Sequence, residues 1–273
     1  KAGQLTPLLR LEGQLHGAPA AGNLRHSLAE GAWPVPSVAW TCGDIDVEAS
    51  ALAEDGSALV RYRLRNTGSG QRRGALVLAV RPVQINPYWQ HGGHAVIHAV
   101  AHEERTVRVN EQLYAVFSRV PDAATLADFD HGDVVRLIGT AAQPSRNPLI
   151  SGSGLVSGAF EFAFELAPGA STEVVVALPM GEKLAAVPID DFDARRAAVI
   201  GAWRAKLGPR RITVGGRDVS ETAEAQIALI LVNATRHAFK PGPRHYDRTW
   251  IRDGASQALA LLWAGLIDEA QRY

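Results

Sequence analysis

The chain has 273 residues, which is enough for one large domain or two ordinary ones. Twenty-eight basic residues balance twenty-eight acidic ones, so the formal net charge of +0 gives no overall attraction to nucleic acid or to an anionic membrane. Hydrophobic residues make up 47% and charged residues 21%, which excludes a disordered chain, and Cys42 as the only cysteine excludes an internal disulfide.

Apolar and polar residues alternate with period two up to about residue 180, a pattern typical of antiparallel strands. In "ALVRYRLR" (58–65) the pattern predicts that Tyr62 faces a core and that Arg61 lies on the opposite face. In "GAFEFAFEL" (158–166) it predicts that Phe160, Phe162 and Phe164 point inward. Gly, Pro and Asn clusters separate such stretches, so the sequence predicts a β-sandwich domain over residues 1–185.

A long loop, predicted over residues 82–95, carries Asn86, Tyr88, Trp89 and Gln90. An exposed aromatic ring can stack on a sugar while neighbouring amides bond to its hydroxyl groups. The same residues would also suit an Ω-loop that packs on its own aromatic rings. The sequence leaves both interpretations open.

Histidines recur at His94, His98 and His102, a spacing that on a helix would suit a metal site. The stretch opens with Gly92-Gly93 and is rich in β-branched residues, which favours a strand instead. On a strand, residues four apart are separated by about 13 Å, too far for the outer histidines to share a metal ion. We therefore predict a solvated strand face, no metal site and no cofactor.

Helical periodicity replaces the strand pattern near residue 186. Over residues 186–218 we predict a linker helix and a connection, with the helix opening at Asp190 or Asp191 and closing at Gly208. A second helix is predicted to begin at Ser220 and to run until Pro241 ends it.

A third helix is predicted after Asp253. Its sequence, "GASQALALLWAGL" (254–266), leaves no clear polar face, so we expect it to be buried on all sides. A further helix is predicted to begin at Asp268. Residues 219–273 are expected to be the truncated start of a helical domain, and the chain a piece of a longer protein.

The pattern Trp-x-Arg-Asp-Gly (250–254) before an apolar helix resembles the six-hairpin, (α/α)6-barrel glycosidases, especially glucoamylases and the glucosidase part of glycogen-debranching enzymes. It is also similar to bacterial proteins of this superfamily labelled coagulation factor 5/8-type domain proteins, which carry sequence like "RPVQINPYWQ" (81–90). The resemblance implies an antiparallel β super-sandwich, a helical linker and the first helices of an (α/α)6 barrel.

In glucoamylases the matching Arg and Asp bind the hydroxyl groups of the non-reducing sugar, which assigns that role to Arg252 and Asp253. A carboxylate accepts hydrogen bonds from hydroxyls, and a guanidinium donates to them. Trp250 and Tyr246 would supply an apolar floor for the sugar ring, and Trp89 a further contact. The alternative is structural: Asp253 caps the helix and Arg252 is its ion-pair partner.

The resemblance implies a glycoside hydrolase of glucoamylase-like type that acts on an oligo- or polysaccharide. Its catalytic carboxylates are expected beyond Tyr273, so the chain alone is predicted to be inactive. The alternatives are a non-catalytic carbohydrate-binding or structural module, and a glycoside phosphorylase, although phosphorylases typically carry Trp-Asp-Thr-Glu at this position. The expected partners are a carbohydrate substrate and the missing C-terminal barrel segment, with no nucleic acid and no membrane.

The compartment is left open between bacterial cytoplasm and periplasm. The sequence has no signal-peptide pattern, and no stretch reaches the roughly eighteen apolar residues that a membrane span requires.

Overall fold

Antiparallel β-sheets form most of the computed structural model, which describes residues 3–18, 23–54, 56–84, 89, 93–140, 146–180, 189–209, 211–235, 238–243 and 246–272. The strands, in chain order, are β1 (Gln4–Leu11), β2 (Gln14–His16), β3 (Arg25–Ala29), β4 (Trp33–Cys42), β5 (Ile45–Glu54), β6 (Ser57–Asn66), β7 (Arg72–Arg81), β8 (Val83–Gln84), β9 (His94–Ala95), β10 (Ala99–Glu103), β11 (Thr106–Val109), β12 (Gln112–Phe117), β13 (Ala123–Ala127), β14 (Leu149–Ile150), β15 (Ser157–Leu166), β16 (Ser171–Pro179), β17 (Thr213–Val214) and β18 (Arg217–Asp218). The helices are α1 (Val134–Leu137), α2 (Phe192–Leu207), α3 (Ser220–Val232), α4 (Ile251–Trp263) and α5 (Ile267–Ala270).

The two large sheets are built from antiparallel neighbours. The first sheet has the order β13-β15-β7-β1-β2, and the second has the order β14-β10-β11-β12-β16-β6-β5-β4-β3. Strand β8 pairs with β9, and β17 pairs with β18. The predicted fold class, an antiparallel sandwich followed by helices, is confirmed.

The inner faces of the two sheets share one hydrophobic core. Leu78 of β7 and Phe162 of β15 come from the first sheet, and they belong to the same buried cluster as Tyr62 of β6 and Val176 of β16 in the second. Phe160 and its neighbours on β15 are buried there, as the alternating pattern predicted. Period-two patterning therefore identifies the inner face correctly.

The first sheet is also covered on part of its outer face. Val77 and Ala79 of β7 are fully buried in a second, smaller cluster with Val134 and Ile138 from the segment around α1. The middle of strand β7 is thus buried on both faces, which is why residues 75–80, "ALVLAV", include no polar residue.

Arg61 lies on the face opposite Tyr62, as predicted, but it is buried there. Its guanidinium carbon is 4.5 Å from the ring centroid of Phe192, and Nη1 is 3.9 Å from a carboxylate oxygen of Glu173. The buried guanidinium is therefore compensated by an aromatic face and an acidic side chain.

The chain divides into two compact units. The first comprises residues 1–26 and 38–192, and the second comprises residues 27–37 and 193–273. In the second unit, Glu30 accepts a hydrogen bond from the indole of Trp33 and forms an ion pair with Arg204 of α2. The indole hydrogen bond is the main reason that the pKa of Glu30 lies below its usual value. The three-part division into residues 1–185, 186–218 and 219–273 stays a prediction.

Helices α2 and α3 begin near the predicted positions, but α3 ends early. Helix α2 stops at Leu207, and Gly208 follows with φ of +66°, the left-handed conformation that favours glycine. Helix α3 stops at Val232 and does not continue to Pro241. Asn233 is the C-cap residue, and both its backbone N–H and its side-chain nitrogen donate to the carbonyl oxygen of Leu229.

The prediction that α4 is buried on all sides is wrong. Only Gly254 and Leu261 of this helix are buried, whereas Trp263 is 81% exposed and Ile251 is also strongly exposed. The apolar residues surround the helix, but among the described residues only one side of it is covered. Among the described residues, no helix is both long and apolar enough to cross a membrane.

Replacing Phe117 should strongly destabilise the first unit. Its ring is fully buried, 5.1 Å from the centroid of Phe162 and 5.4 Å from that of Phe160. Phe117→Ala leaves a cavity between the sheets and should lower the free energy of unfolding by about 3–5 kcal/mol. Urea unfolding followed by circular dichroism measures this loss. Exposed Val120→Ala is the matched control, and equal midpoints for the two variants would contradict this core.

The Lys206–Glu269 ion pair should make the second unit more stable at neutral than at acidic pH. The two charged groups are 3.1 Å apart, and the hydrogen bond from Lys206 is the main cause that lowers the pKa of Glu269 below 4.5. A lowered folded-state pKa stabilises the fold above the ordinary pKa and loses that contribution as pH falls through the lowered value.

Lys206→Met should therefore cost less than about 1 kcal/mol at about pH 7 and almost nothing at about pH 3. Urea midpoints of the two proteins at both pH values test this. A difference that stays constant with pH would mean that Lys206 stabilises the helix by packing and not by charge.

Candidate functional site

The predicted sugar-binding pair lies in the first turn of α4. The helix begins at Ile251 after Trp250 as its N-cap residue, so Arg252 and Asp253 are its second and third residues. The interpretation of Asp253 as the helix cap is therefore wrong, because the helix starts two residues earlier. Asp253 is instead an acidic residue within the first turn, where the helix dipole favours negative charge.

Arg252 and Asp253 form only a loose ion pair. The distance from Arg252 Nε to Asp253 Oδ2 is 3.9 Å, and the two side chains are 92% and 34% exposed. Consecutive helical residues point about 100° apart, so a two-bonded Arg–carboxylate pair cannot form between them. Most donors of Arg252 are therefore open to solvent and available to a ligand.

Two aromatic residues precede the pair. Tyr246 is exposed and Trp250 is partly exposed. The guanidinium carbon of Arg248 lies 4.4 Å from the centroid of the Trp250 ring, a cation–π contact that sequence reasoning missed. Since Arg248 covers one face of the indole, a sugar ring could stack only on the other face.

The segment before α4 is held to the helix by Gln257. Its side-chain nitrogen donates to the backbone oxygen of Lys240 at 3.1 Å, while Lys240 forms an ion pair with Asp247. Gln257 lies four residues after Asp253 and so on the same face of the helix. Its own side-chain oxygen is buried without a hydrogen-bond partner. Sequence reasoning missed both Gln257 and Lys240, although the four-residue spacing was visible.

Trp89 lies in the first unit and is 81% exposed. Its predicted companions Asn86, Tyr88 and Gln90 lie outside the described residues. Tyr246, Trp250, Arg252 and Asp253 belong to one short segment of the second unit, and Trp89 belongs to the other unit.

The histidine stretch does not form the continuous solvated face that was predicted. The strand is interrupted between β9 and β10, so the two-residue alternation changes phase. His94 and His98 are exposed, whereas the ring of His102 lies 5.2 Å from the centroid of the core residue Phe160. Within the part of the chain that the structure describes, no three His, Cys, Asp or Glu side chains lie close enough together to hold a metal ion.

Comparison with known proteins identifies a similar solved structure but no sequence relative. No protein-family model matches the chain, and a search of curated proteins gives no match. A bacterial glucoamylase, solved in complex with acarbose, matches 99% of the chain with a TM-score of 0.66 and 11% identity. The chain spans 43% of the length of that glucoamylase.

Two other carbohydrate-active proteins match less well. An α-mannosidase from Bacteroides thetaiotaomicron covers 80% of the chain with a TM-score of 0.29 and 13% identity, and the chain spans 28% of it. A polysaccharide lyase covers 67% of the chain with a TM-score of 0.36 and 11% identity, and the chain spans 26% of it. Scores this low do not establish a shared fold. The glucoamylase match therefore carries the comparison: the chain has the fold of the corresponding part of a glucoamylase, the fold that the Trp-x-Arg-Asp-Gly pattern predicted.

Proposed function

We propose that the chain is the N-terminal part of a glycoside hydrolase of glucoamylase-like type that acts on an oligo- or polysaccharide. The observation that carries this proposal is the exposed Arg252 beside a half-buried Asp253 in the first turn of a helix. The similarity to the fold of a glucoamylase supports it, since the match extends over both units.

The proposed chemistry of the site is the binding of sugar hydroxyls. Asp253 accepts hydrogen bonds from two hydroxyl groups, and its place in the first turn of the helix favours a negatively charged side chain. Arg252 donates to other oxygens of the same sugar. Trp250 and Tyr246 supply the apolar contact for the ring. Gln257 is a positioning residue, because its bond to the Lys240 backbone holds the preceding segment against α4.

The surfaces of the last helices suit a protein partner. Large apolar side chains of α3, α4 and α5 are exposed, namely Leu229, Val232, Ile251, Leu259, Leu262, Trp263 and Ile267. Such a set is unusual on a surface that stays in contact with water. We assign to it the further helices of an (α/α)6 barrel, the partner that the sequence predicts.

Removing the charge of Asp253 should weaken sugar binding. Asp253→Asn keeps the size of the side chain but replaces a charged acceptor, so the Kd for maltotriose should rise by about tenfold to a hundredfold. Calorimetric titration of the whole 273-residue chain measures this. Asp268→Asn is the matched control, because Asp268 is an exposed acid in the first turn of α5. Equal affinities for the two variants would exclude Asp253 from the site.

The chain alone should bind but not cleave. Glycoside hydrolysis requires two carboxyl groups that flank the scissile bond, and Asp247 near the site is already engaged by Lys240. Incubation with maltotriose, with and without inorganic phosphate, should release neither glucose nor a sugar phosphate. Release of glucose would contradict the assignment of the catalytic groups to other residues, and phosphate-dependent release would favour the phosphorylase alternative.

A further inference from the structure

The first unit contains a cavity of about 340 Å³ that no part of the proposed site uses. It is lined by Gln4, Arg81, Phe129, Asp133, Leu155 and Ser157 among others. Its size lies at the lower end of the range of about 300–1,000 Å³ that is usual for small-molecule sites.

The polar part of the cavity is fixed by strand register. Gln4 of β1 pairs with Arg81 of β7, so both side chains lie on the same face of the first sheet. That face also carries Ala79, whose side chain is buried beneath α1. Arg81 and Gln4 therefore lie on the outer face, beyond the edge of the small cluster that α1 covers.

An ion pair crosses the cavity wall. Arg81 Nη1 donates to Asp133 Oδ2 at 3.0 Å, and the other carboxylate oxygen of Asp133 accepts from the backbone N–H of Val135 at 3.1 Å. Both oxygens of Asp133 are thus oriented by the protein. The pair is neutral as a whole, which favours an uncharged ligand with hydroxyl groups over a phosphate or a carboxylate.

The lining of the same cavity also includes an exposed aromatic ring. Phe129 is 64% exposed, and Leu155 beside the cavity is also exposed. Phe129 is held in place by an ordered turn, because its carbonyl oxygen accepts from Gly132 N at 3.1 Å. Gly132 has φ of +86°, which a residue with a side chain rarely adopts.

Asp128 and His131 brace the same turn. One carboxylate oxygen of Asp128 accepts from the backbone N–H of His131 at 3.2 Å and lies 2.6 Å from its ring nitrogen Nδ1. The hydrogen bond to His131 is the main cause that lowers the pKa of Asp128. These hydrogen bonds order the turn that carries the exposed Phe129 ring. An exposed aromatic ring on an ordered turn can stack on a ligand with little loss of conformational entropy.

We propose that this cavity is a second carbohydrate subsite, in which the Phe129 ring stacks on one face of a neutral pyranose and Arg81, Asp133 and Gln4 bond to its hydroxyl groups. An apolar ring beside a neutral, oriented pair of hydrogen-bonding groups matches a sugar, which has an apolar face and a polar edge. The choice of a sugar over other neutral ligands rests on the proposed function.

The test is calorimetric titration of the whole chain with maltotriose and, separately, with cellotriose. The chain carrying Asp253→Asn is the background, because it weakens the site of the second unit. On this background, Phe129→Ala should raise the Kd of at least one of the two sugars by at least about tenfold, and Phe129→Tyr should change it by less than about twofold. Arg81→Met should also raise it, because it removes the donors and leaves Asp133 without its cation.

Ile150→Ala is the matched control, since Ile150 is an exposed apolar residue of the same unit outside the cavity. Circular dichroism verifies that every variant is folded. Absence of binding by the Asp253→Asn chain, or equal losses for Phe129→Ala and Ile150→Ala, would overturn the subsite. Binding of adenosine that depends on Phe129 and exceeds that of both sugars would overturn the sugar assignment.

Failure of the two proposals is distinguishable. If Phe129→Ala weakens binding and Asp253→Asn does not, the subsite stands and the role proposed for Asp253 falls. If only Asp253→Asn weakens binding, the cavity on the sandwich is not a sugar site.

Discussion

The packing of Phe117, Phe160 and Phe162 between the two sheets is the contact on which the first unit depends. Their rings meet at centroid distances of 5.1 and 5.4 Å in tilted and edge-on arrangements. Because side chains alternate along a strand, fixing the inward residues of β15 also fixes which residues point outward. Strand β7 is the neighbour of β15, and a shift of β7 by one residue would turn Arg81 into the core and Val80 out of it. The aromatic contact therefore determines the outer face that carries the cavity beside Phe129.

In the second unit, by contrast, helix α4 has more apolar surface than the rest of that unit covers. Helix α4 buries Leu261 and leaves Trp263 exposed. Its sequence is consistent with burial on all sides, yet only one side is covered by the part of the second unit that the structure describes. The second turn of α4 is joined to the segment before the helix by the Gln257–Lys240 hydrogen bond, which does not involve that surface. The arrangement around Asp253 thus depends on contacts that the second unit already contains.

The sequence was sufficient to predict features that depend on neighbours along the chain. The inward faces of β6 and β15 and the end of α2 at Gly208 follow from alternation and from turn chemistry. The burial of Arg61 could not be predicted, because its partner Phe192 is far away in sequence. The helical pattern likewise gave no signal for the early end of α3 at Val232.

The candidate sites divide in the same way. Arg252 and Asp253 could be identified because they belong to a short sequence pattern. The contact between Arg248 and the Trp250 ring was missed because it depends on the conformation of the Arg248 side chain. The cavity on the sandwich draws on β1, β7 and the turn before α1, so no single stretch of sequence contains it. A local signal was nevertheless present in "DFDHGD" (128–133), in which an aromatic residue stands among turn formers that include Gly132.

The two proposed sugar sites combine the same groups but differ in preorganisation. Arg81 and Asp133 come from different elements and meet at 3.0 Å, so a ligand finds the pair already formed. Arg252 and Asp253 are consecutive and separated by 3.9 Å, so a ligand would have to bridge them. In the Arg81–Asp133 pair, some donors and acceptors are already bonded to each other, so fewer remain to bond to a sugar. The two side chains are already ordered, however, so binding costs little conformational entropy. Arg252 and Asp253 have more unused hydrogen-bonding groups to offer a sugar, but their side chains lose more conformational entropy when it binds. This balance suits a site in which close contacts to one sugar unit determine specificity.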